Sequence, residues 1–164
     1  MNKTWLKEYF DLYKTQLLNK DVFAQLLELK SMLETVHKKN GKTMAMGNGA
    51  SASIASHIST DLSKGANIRT INFNDANLIT ALSNDYGYEN WVAKALECYA
   101  DSGDILILIS SSGQSENMLI AAKKAKFMGI SVVTLSGFES NNPLRNLGDI
   151  NLWANSTVYN TVEM

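Results

Sequence analysis

The stretch ILILISSSGQSEN, residues 105–117, decides how this chain is read. With Asp104 it forms DILILIS (104–110), a continuous apolar run of the kind a strand covered on both faces requires. The run then gives way at once to Ser110, Ser111, Ser112, Gly113 and Ser115. A helical stretch follows, QSENMLIAAKKAKFMG, with Met118, Leu119, Ala122, Ala125 and Phe127 near one face. A buried strand feeding a helix through a serine-rich turn belongs to a sheet of parallel strands, so the same unit should recur on either side.

It does. Upstream, KTMAM (42–46) reads as a strand, and GNGASASIASHISTDLSKG leads from it into a helix ending at Gly65. NIRTINF (67–73) reads as a second strand, followed by helices around DANLITALSND and ENWVAKALECYA. Downstream, ISVVTLSG gives a fourth strand and DINLWA (149–154) a fifth, with a loop at Asn141-Asn142-Pro143 between them. Before residue 42 there is no strand alternation. Trp5, Tyr9, Leu12 and Tyr13 recur at helical spacing, as do Val22, Phe23, Leu26, Leu27, Met32, Leu33 and Val36. Asp21 reads as the N-cap of the second helix and Asn40-Gly41 as its end. The expected architecture is an α/β/α sandwich on a parallel five-stranded sheet, residues 41–164, preceded by an N-terminal helical arm, residues 1–40.

Composition bounds the function. The 164 residues are 45% hydrophobic and 19% charged, with a net charge of −1, which describes one globular domain. No basic block suggests a nucleic-acid surface, and no apolar run approaches the about 18 residues of a membrane span. The single cysteine, Cys98, reads as a buried core thiol and fits a reducing compartment, which points to the cytoplasm.

Two loops carry the chemistry: GNGAS (47–51) and SSSGQS (110–115). In open parallel sheets, ligands bind beyond the carboxyl ends of the strands, where helix N-termini present unpaired N–H groups and partial positive charge. Glycine lets the backbone approach a phosphate, and serine hydroxyls add compact donors without a lysine or arginine. The competing reading of Ser112 or Ser115 is a simple helix cap, but four hydroxyls around one glycine exceed what a cap needs. GNGASA also matches the dinucleotide pattern G-x-G-x-x-G/A, yet the second strand runs through Asn72-Phe73-Asn74 without the acidic end that a ribose requires. No phosphate-binding GxxxxGK[ST] is present.

The blocks GNGASASIASHISTDLSKG, SNDYGYEN and ISSSGQSEN, in this order, resemble the sugar-isomerase (SIS) domain family. Within it the chain is similar to the sedoheptulose-7-phosphate isomerases of bacterial heptose synthesis, whose products serve lipopolysaccharide and capsule. The resemblance implies a flavodoxin-like fold, a homotetramer with active sites between subunits, and isomerisation of a ketose phosphate to an aldose phosphate. It assigns the sugar phosphate to Ser110, Ser111, Ser112 and Ser115. Contacts to the sugar fall to Asn48, Gly49, Ala50 and Ser51, and to Asn84 and Asp85.

It further implies zinc. His57 and Asp61 stand four residues apart on one helix face and match a zinc-ligating His and a Glu that is both ligand and proton-transfer base. Glu163 aligns with a Gln that ligates the metal and meets the substrate. Asp61 is thus the catalytic candidate, with His57, Asp61 and Glu163 as metal candidates. The chain departs from the pattern where Asp61 replaces the Glu, Glu163 the Gln, and Ala50 a glycine. No counterpart of a last catalytic His precedes Met164. The final helix reads as cut short, so the expectation is two to four further helical turns carrying that His. The alternative function is a non-catalytic SIS module that binds a sugar phosphate or a protein partner.

Overall fold

The computed structural model describes residues 2–17 and 22–163. Helices α1 (Lys3–Leu17) and α2 (Phe23–Lys38) come first. Then follow β1 (Thr43–Gly47), α3 (Ala50–Gly65), β2 (Thr70–Ile71), α4 (Ala76–Tyr86), α5 (Trp91–Tyr99) and β3 (Ile105–Ser110). The chain continues through α6 (Glu116–Phe127), β4 (Ser131–Ser136), β5 (Ile150–Trp153) and a short α7 (Tyr159–Val162). The expected N-cap at Asp21 lies outside the described residues. The expected stop after α2 is made by Asn40, which takes a left-handed φ of 58°, and by Gly41 N–H donating back to the Val36 carbonyl at 3.0 Å.

All strand pairs are parallel, in the order β2-β1-β3-β4-β5. This is the flavodoxin-like order, which reverses direction between β1 and β3. Alternation along the strands sorts side chains into two cores. Met44, Met46, Leu106 and Leu108 point to the face covered by α4, α5 and α6, where Trp91, Leu96 and Met118 complete the packing. Ala45, Ile105, Ile107 and Ile109 point to the opposite face, covered by α2 through Leu33 and Val36 and by α3 through Ala55. Each such buried aliphatic contributes about 1.5–3 kcal/mol.

Three expectations need correction. NIRTINF forms a strand only at Thr70–Ile71, because β2 is the sheet edge and pairs with β1 alone, through Thr43↔Thr70 and Met44↔Ile71. Cys98 is exposed rather than buried, since α5 turns Trp91, Val92, Ala95 and Leu96 inward and carries position 98 to the outside. Phe127 is 86% exposed, because the buried stripe of α6 runs through Met118, Ala121, Ala122 and Ala125 and does not reach it.

Candidate functional site

Register brings the two glycine-serine loops together. Gly47, the last residue of β1, pairs with Ile109, and Ser110 follows it at the end of β3. From these adjacent ends, α3 leaves toward one face and α6 toward the other, which opens a crevice at the strand-order reversal. A cavity of about 160 Å³ sits there, lined by Asn48, Ser51, Ile109, Ser110, Ser111, Ser112, Ser115, Tyr159 and Glu163. Five serines, one amide and no lysine or arginine face it.

Backbone geometry makes this possible. Gly47 allows Ser51 to lie close, for a Cβ there would stand 2.6 Å from the Ser51 backbone. Gly113 adopts φ +64°, a conformation that favours glycine, and its missing Cβ is the space that the Asn142 side chain occupies. Asn142, itself buried, donates from Nδ2 to Ser136 Oγ at 3.0 Å and to the Glu139 carbonyl at 2.9 Å, and accepts from Arg145 N–H at 2.9 Å. The Leu144 N–H donates to the Gly113 carbonyl at 3.0 Å. The Asn-Asn-Pro loop therefore buttresses the serine turn from behind.

The serines divide between two tasks. Ser112 Oγ accepts from Gln114 N–H at 3.2 Å, a local turn contact. Ser115 occupies the N-cap position of α6 but makes no cap bond; its hydroxyl lies 3.1 Å from that of Ser110, with one hydrogen shared between them. Ser111 Oγ donates to Glu163 Oε1 at 2.7 Å, so an anion entering the cavity has to displace a carboxylate.

The remaining sequence candidates lie apart. Gly49 and Ala50 form the turn into α3 and are exposed. Asn84 and Asp85, near the end of α4, are exposed and bonded to each other, Nδ2 to Oδ1 at 2.9 Å, and neither lines the cavity. His57 and Asp61 do share a face of α3, with Nε2 and Oδ2 3.3 Å apart, but their side chains are 78% and 67% exposed. Among the described residues no third His, Cys, Asp or Glu joins them, and Glu163 is engaged at the serine turn. Two exposed donors do not fit a zinc site, which takes four ligands or three with an open position.

Sequence reasoning missed Asn117 and Tyr88. Asn117 is buried and exchanges hydrogen bonds with Asn48, and the Tyr88 hydroxyl donates to Asn48 Oδ1 at 3.1 Å. The available signal was a polar residue inside the apolar stripe of α6.

A serine-lined cavity that also holds the Glu163 carboxylate thus sits at the strand-order reversal of a parallel sheet, the place where such sheets bind small-molecule ligands. Residues 12–137 match the SIS domain family, and the chain belongs to it. It is 35% identical over 148 residues to a phosphoheptose isomerase of Campylobacter concisus, covering 84% of this chain and 76% of that protein. It is 32% identical to the phosphoheptose isomerase of Sulfurimonas denitrificans, over 82% of this chain and 72% of that one. The solved structure of a phosphoheptose isomerase from Francisella tularensis superposes with a TM-score of 0.89 at 26% identity, over 99% of this chain and 91% of that one.

Proposed function

We propose that this chain is an isomerase that interconverts sedoheptulose 7-phosphate and D-glycero-D-manno-heptose 7-phosphate. The observation that carries the reading is the serine-lined cavity between β1 and β3, in a chain 35% identical to a phosphoheptose isomerase. In this reading the phosphate takes hydrogen bonds from Ser110, Ser111, Ser112 and Ser115 and from the N-terminal amides of α6. Asn48 and Ser51, at the start of α3, meet the sugar. The reaction removes a proton from C1 of the ketose and returns one to C2, while a hydroxyl proton passes between the two oxygens. Asp61 is the carboxylate assigned to the carbon proton, with His57 beside it.

In this reading one sugar phosphate meets the serine turn of one subunit and Asp61 of another, in the homotetramer implied by the family resemblance. Exposed apolar side chains on α1 and α2, among them Trp5, Phe10, Phe23 and Leu27, support such packing of the N-terminal arm. Among the described residues no helix is long and apolar enough to cross a membrane. No step is routed through zinc, whose ligand set is incomplete among the described residues.

The test is Asp61→Asn. Turnover should fall by a factor of about 10²–10⁴ while calorimetry finds sedoheptulose 7-phosphate bound as before. Undiminished turnover would remove Asp61 from the chemistry.

A further inference from the structure

Asn117 is 3% exposed, on the second residue of α6. Its Oδ1 accepts from the Met118 backbone N–H at 3.1 Å. A backbone N–H can only donate, so the Asn117 amide cannot be turned over without setting its NH₂ against that donor. The same Oδ1 accepts from Asn48 Nδ2 at 3.0 Å, and Asn117 Nδ2 donates to Asn48 Oδ1 at 2.9 Å. The Tyr88 hydroxyl donates to that Asn48 oxygen as well, at 3.1 Å. Both lone pairs of the Asn48 carbonyl are thereby used, and one of its two amide hydrogens. What Asn48 has left is a single N–H, on a residue that lines the serine cavity.

We propose that Asn117 is a positioning residue that locks the Asn48 carboxamide so that it offers the ligand one donor and no acceptor. The inference rests on the phosphosugar reading above and deepens it: Asn48 selects an oxygen of the sugar phosphate that accepts a hydrogen bond. An Asn48 free to flip would present its carbonyl to the anion for part of the time and repel it.

The experiment is a double-mutant cycle, with sedoheptulose 7-phosphate binding followed by titration calorimetry and folding by thermal unfolding. Asn48→Ala and Asn117→Ala should each weaken binding about five- to tenfold, the worth of one hydrogen bond. The double variant should be no weaker than either single variant, within about twofold, because Asn117 acts only through Asn48. Tyr88 is exposed, so Tyr88→Phe keeps the fold if Asn117→Ala does not; it should show a smaller loss that vanishes in the Asn48→Ala background. Losses that multiply in the double variant would overturn the proposal, since Asn117 would then act independently of Asn48. So would an unchanged affinity in folded Asn117→Ala beside a weakened Asn48→Ala, an outcome that leaves the phosphosugar reading standing. A wild-type protein that binds no sugar phosphate would overturn that reading, and the proposal with it.

Discussion

Gly113→Ala should damage the serine turn through two separate costs. The first is conformational: φ +64° at this position costs an alanine about 1–2 kcal/mol. The second is steric, for the new methyl would overlap the Asn142 side chain, which is 2% exposed and has no solvent to retreat into. Asn142 holds its place by bonds to Ser136, Glu139 and Arg145, and a displacement that breaks two of them costs about 2 kcal/mol at about 1 kcal/mol each. The sum is about 3–4 kcal/mol of lost stability, read as a lower urea midpoint at constant m-value. Affinity for inorganic phosphate should fall with it, because Ser110, Ser112 and Ser115 flank the displaced backbone. A loss below about 0.5 kcal/mol, within the range of an ordinary surface change, would refute the claim that Asn142 buttresses the turn.

Ser115→Ala should reduce phosphate affinity by about 1–3 kcal/mol in calorimetry with little change in unfolding, because Ser115 makes no cap bond to lose. Equal damage to stability would make it a cap after all. At the other end of the sheet, Lys42 bridges Asp101 at 2.6 Å and buried Asp104 at 2.7 Å, and Lys42→Met should cost about 1–3 kcal/mol by leaving Asp104 with only its backbone bonds from the Lys42 and Asp101 N–H groups. The same variant should flatten both pH limbs of stability. The hydrogen bond from Lys42 holds the Asp101 carboxyl below its usual range, so that contribution is present above about pH 3.9 and fades as pH falls through the lowered value. Burial, the largest single influence on Lys42, pulls its pKa down, but hydrogen bonds to Asp101 and Asp104 outweigh it and leave the value raised. Its contribution is therefore full below about pH 10.4 and fades as pH rises through the raised value.

The fold was legible where burial on both faces left no ambiguity. ILILIS is a nearly continuous apolar run, and the turns after β1 and β3 announce themselves in glycine and serine. Periodicity failed where a segment is apolar nearly all round, as in WVAKALECY, whose composition does not say which flank carries Cys98. Helical spacing put His57 and Asp61 on one face but could not say that both are exposed and do not line the serine cavity of the same chain. Asn117 was invisible for a related reason. Its role depends on Asn48, sixty-nine residues away, and on a pairing across two helix starts that no local pattern encodes.

In the proposed function the serine cavity serves the isomerisation of a seven-carbon sugar phosphate. The most direct measurement is NMR of purified protein incubated with sedoheptulose 7-phosphate, watching for anomeric signals of the aldose phosphate and repeating with Ser110→Ala/Ser115→Ala. Aldose should accumulate to equilibrium with the unaltered chain, and the double variant should need far more substrate to reach the same rate. Sugar phosphate that stays a ketose indefinitely, or turnover indifferent to both serines, would contradict the proposed function.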